Sequence, residues 1–315
     1  MSQSDRDGRL KVLITGACGL LGAHLMVAFG RRHDVTGVDR NDWWGGRPVN
    51  LRRGDLTDPQ FLRTTVDLAS PDVLIHCAAM VDVDNCERSP SLAYRCNADL
   101  TRDLARSVPS DCLFVYVTTD GVFRGDAPFA GEQWPPCPRT VYGRAKLQGE
   151  WEVQIASTRH LIVRTNFFGW SSGRKRTFAE WLFEALEQGH AIKLFEDFFF
   201  TPLYVVDFAE RLQFLVEHGH SGLFHLVGKD RVSKYDFGMM LAEEAGYSTE
   251  FVERASIDDG DLKAVRPRDM SLSSEHFRSA TGFDVPRCQD GVRSFVADKD
   301  RPMETRLAAL ADIAL

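Results

Sequence analysis

The chain has 315 residues, 43% of them hydrophobic and 26% charged, a globular balance with enough apolar material for a substantial core and two lobes. Its 38 basic against 45 acidic residues leave a formal charge of −7, which argues against a general nucleic-acid binder, whose affinity rests on neutralising phosphates. Residues Met1 to Arg9 are polar, without the apolar core of a signal peptide, and no apolar run approaches membrane-spanning length, so a cytoplasmic location is expected.

The 7 Cys are scattered without a Cys-x-x-Cys pair and read as reduced core thiols. Leu10 to Ile14 is an apolar run of strand length, followed at once by Thr15-Gly16-Ala17-Cys18-Gly19-Leu20-Leu21-Gly22 and a helical pattern through Phe29. Strand, glycine-rich turn and helix in that order predict a dinucleotide site. Gly16 permits the tight turn, Gly19 the close approach of backbone to a pyrophosphate, and Gly22 the packing of helix on strand. Asp34 to Val38 predicts a second strand closing on Asp39, where a carboxylate meets ribose hydroxyls and favours NAD, whereas the adjacent Arg40 could accept the 2′-phosphate of NADP. Trp43 and Trp44 are expected to cover the sheet edge or the adenine. A short strand over 49–53 leads to Asp55 and Leu56, and Asp55 could bond the adenine or cap the next helix.

Pro71 to Cys77 predicts a buried strand running into Ala78 and Ala79, small residues against which a flat nicotinamide ribose could lie. His76 within it is expected to be a core histidine. Met80 and Val81 begin a loop at the carboxyl edge, where substrate contacts are expected; Asp82 and Asp84 hint at metal, but no His or Cys cluster supports one. Leu92 to Ser107 predicts a helix in which Asn97 either faces solvent or bonds something specific.

Leu113 to Val117 predicts a central strand ending in Thr118-Thr119-Asp120, and the helix that follows carries Tyr142 and Lys146, one turn apart on one face. A phenol has a pKa near 10, and a fixed ammonium beside it is expected to lower that value toward the range useful for proton transfer. Thr118 or Thr119 could donate to the carbonyl oxygen that Tyr142 serves. Tyr-x-x-x-Lys alone is a weak signal; the preceding strand and glycine turn raise it. Arg159 to Arg164 predicts a sixth strand leading to Asn166 and Phe168, and the basic turn with Arg174 and the later Arg266 are candidate contacts for a diphosphate.

Beyond it, a helix over 177–187, runs over 191–200 and 207–218, and a strand over 222–227 that returns to the main sheet make the second lobe discontinuous. The expected architecture is α/β, a Rossmann-type doubly wound parallel sheet with a smaller, discontinuous substrate-binding lobe: 10–170 with 203–228 for NAD(P), 171–202 and 229–300 for substrate, and 301–315 as a carboxyl-terminal helix or tail.

The glycine turn, Asp39, Gly54-Asp55-Leu56, His76-Cys77-Ala78-Ala79, Thr118-Thr119-Asp120 and Tyr142-x-x-x-Lys146 together resemble an extended short-chain dehydrogenase/reductase. Thr119-Asp120-Gly121-Val122-Phe123, Val141-Tyr142-Gly143-Arg144-Ala145-Lys146-Leu147-Gln148-Gly149-Glu150 and Arg266-Pro267 are similar to the signatures of dTDP-4-dehydrorhamnose reductases. The resemblance implies Thr119, Tyr142 and Lys146 as the catalytic set, NADP or NAD as cofactor, Asn166 at a sugar-nucleotide diphosphate, and reduction of a 4-keto nucleotide sugar. Gly121 stands where that family has Tyr, and Phe167 where it has Trp. A nucleotide-sugar epimerase, or a non-catalytic subunit similar to the regulatory subunit of methionine adenosyltransferase, is the alternative, and dimerisation is left open.

Overall fold

The computed structural model describes residues 8–45, 49–157, 159–171, 175–260 and 263–306. Seven parallel strands form the main sheet: β1 (Lys11–Thr15), β2 (Asp34–Asp39), β3 (Leu51–Arg53), β4 (Val73–His76), β5 (Leu113–Thr119), β6 (His160–Thr165) and the later strand Gly222–His225. Their spatial order is Gly222–His225, β6, β5, β4, β1, β2, β3. The order reverses beside β1, and such a switch point opens a crevice at the carboxyl ends of the strands. Near-continuous apolar runs such as Val12-Leu13-Ile14 and Val73-Leu74-Ile75 suit strands covered on both faces.

One face takes α1 (Leu20–Gly30), whose Leu21, Leu25 and Phe29 pack with Val12, Ile14 and Val115. The other takes α2 (Pro59–Ala69), with Leu62 and Val66 against Leu13, Leu74 and Phe114. Helix α2 starts where it does because the Asp58 carboxylate accepts from the Gln60 and Phe61 amides, with Pro59 at the first helical position. After β4 come α3 (Val83–Arg88), α4 (Pro90–Tyr94), a π-helical turn over Arg95–Asp99 and α5 (Leu100–Ser107), so the helix expected over 92–107 is interrupted at Asn97.

Helix α6 (Val141–Ala156) is capped by the Thr140 hydroxyl, which accepts from the Gly143 amide, while the Glu87 carboxylate accepts from the Val141 amide at 2.7 Å. Gly149 lets it lie close on β5, because a Cβ there would run into the Tyr116 hydroxyl and the Asn97 carbonyl.

Residues beyond β6 build the second lobe around helices Phe178–Glu187, Lys234–Ala245 and Cys288–Ala297, with Phe200, Phe237 and Phe295 in its core. The run over 191–200 is two strands, Ile192–Phe195 and Phe199–Phe200, which pair with Val252–Ala255 and Val232–Ser233. No helix among the described residues is long and apolar enough to cross a membrane.

Candidate functional site

The carboxyl ends of β1, β4, β5 and β6 bring together the turn after β1, the loop after β4, Thr118 to Asp120 and Asn166. Gly16 has φ +69°, and a side chain there would put its Cβ 2.7 Å from the Ala78 nitrogen. Gly22 admits no Cβ because the Gly16 carbonyl occupies that space. Gly19 caps α1 without a side chain, and the first turn of α1 carries no acidic residue, which leaves its amide end suited to phosphates.

Asp39 is committed to this turn. One carboxylate oxygen accepts from the Cys18 amide at 3.0 Å and the other from the Asn41 amide at 2.8 Å. The Trp44 indole donates to the Cys18 carbonyl at 3.0 Å, so this tryptophan covers the glycine turn. Arg40 is exposed and reaches Asp55 only at 3.9 Å. Asp55 accepts from the amide and hydroxyl of Thr57, both at 2.9 Å, and Asp58, rather than Asp55, caps α2. Leu56 is buried in the core beneath this edge.

His76 is a core histidine, as the sequence implied. It lies between the Thr15 hydroxyl at 2.7 Å and the Thr101 hydroxyl at 3.1 Å, and burial pushes it down to about 3, so it is neutral. Burial likewise pushes the Cys77 thiol up to about 12, leaving a neutral wall beside Ala78 and Ala79. Asn97 takes the second of the two courses open to it: it is buried and bonds something specific. Its amide accepts from Met80 N at 2.8 Å and donates to Met80 O at 3.0 Å, so its polar atoms pin the loop at the carboxyl end of β4. Val81 is exposed at the rim of that loop.

Thr119 donates to Asp120 Oδ1 at 2.9 Å and accepts from the Gly121 amide at 3.0 Å. Asn166 Nδ2 donates to Asp120 Oδ2 at 2.5 Å. Burial pushes the Asp120 carboxyl up to about 6 against these hydrogen bonds. Tyr142 is partly buried, and the Thr119 hydroxyl is among the groups that act on its phenol. The expected acidified phenol is not what these side chains give: burial, reinforced by the Asp120 charge, pushes Tyr142 above its ordinary value, with the Thr119 hydroxyl opposing. The reason is where Lys146 points. Its Nζ donates to the Val117 carbonyl at 2.8 Å and lies 4.0 Å from the Tyr116 ring centre, deeper than the phenol, and burial pushes it down to about 7 while Glu150 pulls it back. Among the described residues the buried Thr118 and Thr165 hydroxyls have no hydrogen-bond partner, and both stand near the carboxyl ends of their strands.

Of the substrate candidates, Arg266 is tied to Asp84 at 3.0 Å, and its buried Nη1 has no partner among the described residues. Phe168 is corrected: it is buried in the second-lobe core against Tyr204, Phe237 and Phe295 and lines no crevice. Arg174 lies outside the described residues. Two residues escaped sequence reasoning. The Met270 methyl comes within 3.5 Å of where a side chain at Gly121 would begin, filling part of the room the smaller residue leaves. The Lys234 ammonium interacts with Asp120 from the second lobe, although a lysine opening a helix reads in sequence as solvent-exposed. No group of three or more His, Cys, Asp or Glu among the described residues is placed to hold a metal ion. A cavity of about 820 Å³ near the amino ends of β1 and β2, lined by Lys11, Met26, Asp34 and Trp43, contains none of the candidate residues.

A doubly wound parallel sheet with a glycine turn after β1, a Thr at the end of β5 and Tyr-x-x-x-Lys on the next helix defines an extended short-chain dehydrogenase/reductase. Within that class, the family described as the RmlD substrate binding domain matches residues 10–301, and the chain belongs to it. It is 31% identical over 281 residues to a dTDP-4-dehydrorhamnose reductase of Mycobacterium tuberculosis, covering 86% of this chain and 87% of that protein. It is likewise 31% identical over 297 residues to a probable low-salt glycan biosynthesis reductase of Haloferax volcanii, covering 90% and 96%. The solved structure of dTDP-4-dehydrorhamnose reductase from Bacillus anthracis in complex with NADP superposes with a TM-score of 0.84 at 25% identity, over 92% of this chain and all of that one.

Proposed function

We propose that the chain is a cytoplasmic NAD(P)H-dependent reductase of the 4-keto group of a nucleotide-linked 6-deoxy sugar. The observation that carries this is the placement of Thr119 at the carboxyl end of the central strand with the Tyr142 turn of α6 packed against it, Gly143 lying against the Gly121 carbonyl, beside the glycine turn. The names of the relatives support the substrate class. The orphaned Thr118 hydroxyl and the amide end of α1, which no side chain caps among the described residues, suit a dinucleotide, held through Gly16 to Gly22, with Ala78 and Ala79 beside the nicotinamide ribose. NADP is served by Arg40 and NAD by Asp39. Residues 10–170 with 203–228 hold the cofactor and present the Met80–Val81 loop and Asn166 to the sugar, while 171–202 and 229–300 form the substrate lobe and contribute Arg266.

The bound nicotinamide supplies the hydride. Tyr142, kept neutral by burial, is the proton donor for the ketone oxygen, and Thr119 orients that oxygen when its hydroxyl turns from Asp120. Lys146, one helical turn away, stabilises the phenolate left behind and holds the nicotinamide ribose with the N–H groups that Val117 does not take.

The test follows nicotinamide oxidation by absorbance with a panel of 4-keto nucleotide sugars. Tyr142→Phe should lower kcat by about a thousandfold while cofactor affinity stays within about twofold. Unchanged turnover in the variant removes Tyr142 from its role; no oxidation by the unaltered protein with any ketone overturns the reductase assignment.

A further inference from the structure

Lys234 begins the helix Lys234–Ala245 directly after the cap Ser233. Its ammonium lies 3.3 Å from the centre of the Phe200 ring, 4.4 Å from Phe178 and 5.3 Å from Phe198. Aromatic faces attract a cation but accept no conventional hydrogen bond, so the three N–H donors of a lysine still need acceptors. Among the described residues the Lys234 ammonium has no hydrogen-bond or ion-pair partner, and the Asp120 charge opposes the downward push of burial on it. No ion pair joins the two, and Met270 borders the gap between them: its methyl stands 3.5 Å from where a Gly121 side chain would begin, next to Asp120, and its amide donates to the carbonyl of Phe199, next to the Phe200 ring under Lys234.

The two sides of that gap specify what fits. Asp120 accepts from Thr119 through one oxygen and from Asn166 through the other, and each oxygen keeps a further lone pair. A phosphate there would accept from Lys234 but be repelled by Asp120. An alcohol satisfies both, donating to the carboxylate and accepting from the ammonium. Asp120 is one hydrogen bond from Thr119, and Gly143, the neighbour of Tyr142, packs against the carbonyl of Gly121, the neighbour of Asp120, so the alcohol lies beside the reacting carbonyl. We infer that Lys234 and Asp120 together hold the sugar hydroxyl on the ring carbon next to the ketone, the 3-hydroxyl of a 4-keto sugar, and so select for substrates that carry it. The inference rests on the reductase reading for the identity of the sugar. Lys234 is then a specificity residue supplied by the second lobe, and the phenylalanine rings hold its amine in place without occupying its donors.

The experiment compares a 4-keto nucleotide sugar with its 3-deoxy analogue, in the unaltered protein and in Lys234→Met, which keeps the side-chain length. The unaltered protein should prefer the hydroxylated ketone by about a hundredfold in kcat/KM. Lys234→Met should raise KM for that ketone about tenfold, with a smaller change in kcat, and reduce the preference to below about tenfold. Affinity for the nucleoside diphosphate alone should not change. A preference that survives the substitution overturns the inference and leaves Lys234 as a mere counter-charge to Asp120. A matching loss of nucleoside diphosphate affinity overturns it too, placing the amine on phosphate. Should Lys234→Met fail to fold, Lys234→Gln is read by the same criteria. If no ketone is turned over at all, the reductase reading fails separately, and calorimetric binding of the two nucleotide sugars decides the inference: equal affinities in the unaltered protein reject it, and a preference abolished by the substitution sustains it.

Discussion

In the sheet-bearing half, Arg164 on β6 and Glu150 on α6 meet at 2.7 Å with side chains 4% and 3% exposed, and three guanidinium contacts lock the fork. In the second lobe the Lys234 ammonium has no such partner among the described residues and sits on rings instead, 3.3 Å from the centre of Phe200 and 4.4 Å from Phe178. A fork-to-carboxylate pair uses up its donors and fixes one geometry, which suits a helix that must present Tyr142 and Lys146 at a constant angle. A cation on a ring is held through its charge, and its N–H groups stay free for something else. The first half is built to position, the second to receive.

The sharpest way to break that contrast is to strand one buried charge. Arg164→Met should destabilise the protein by about 3–5 kcal/mol in urea unfolding, because Glu150 is left ionised and unpaired beneath α6, and adding Glu150→Leu should restore much of the loss. A single-variant loss below about 1 kcal/mol would mean that water reaches the pair and that it does not fix the helix. Asp120 provides the next effect. Its ordinary value is 3.8 and burial raises it to about 6, so the folded chain binds this proton more tightly than the unfolded one. The penalty for burying the charge is therefore complete above pH 6, shrinks as pH falls and is gone below about 4. Stability of Asp120→Asn relative to the unaltered protein should accordingly decline by up to about 3 kcal/mol between pH 7.5 and pH 4. A difference independent of pH would show that Asp120 is not desolvated.

The same contrast explains what the sequence could and could not disclose. The strands, the glycine turn and the placement of Tyr142 and Lys146 on one helix were legible because backbone rules govern them: period, turn chemistry and one helical turn between two side chains. What Lys146 touches was not legible, because Tyr142 and Lys146 share a face whichever of them reaches the Val117 carbonyl. Asn97 showed as an oddity within a helix, but its partner Met80 lies 17 residues away and the π-helical turn leaves no composition signal. Phe168 looked like a lining residue because it follows Asn166 at a strand end, whereas the strand pair Phe167–Phe168 with Leu203–Tyr204 turns its ring into the core. Lys234 depends on Phe178, Phe198 and Phe200 meeting around it, a contact between segments that no local pattern encodes.

The smallest effect tests the second lobe at its surface. Arg254 and Glu196 are 3.1 Å apart, little longer than Arg164 and Glu150, but their side chains are 64% and 51% exposed. Water screens the attraction, and ordering two long side chains offsets most of what remains. The neighbouring Tyr235 ring gives Arg254 a resting place rather than a partner it must keep. Arg254→Ala should therefore move the midpoint of thermal unfolding by no more than about 1 °C, at low and at high salt alike. A drop of several degrees, abolished by salt, would mean that distance rather than burial sets the worth of an ion pair here, and the division between a positioning half and a receiving lobe would lose its physical basis.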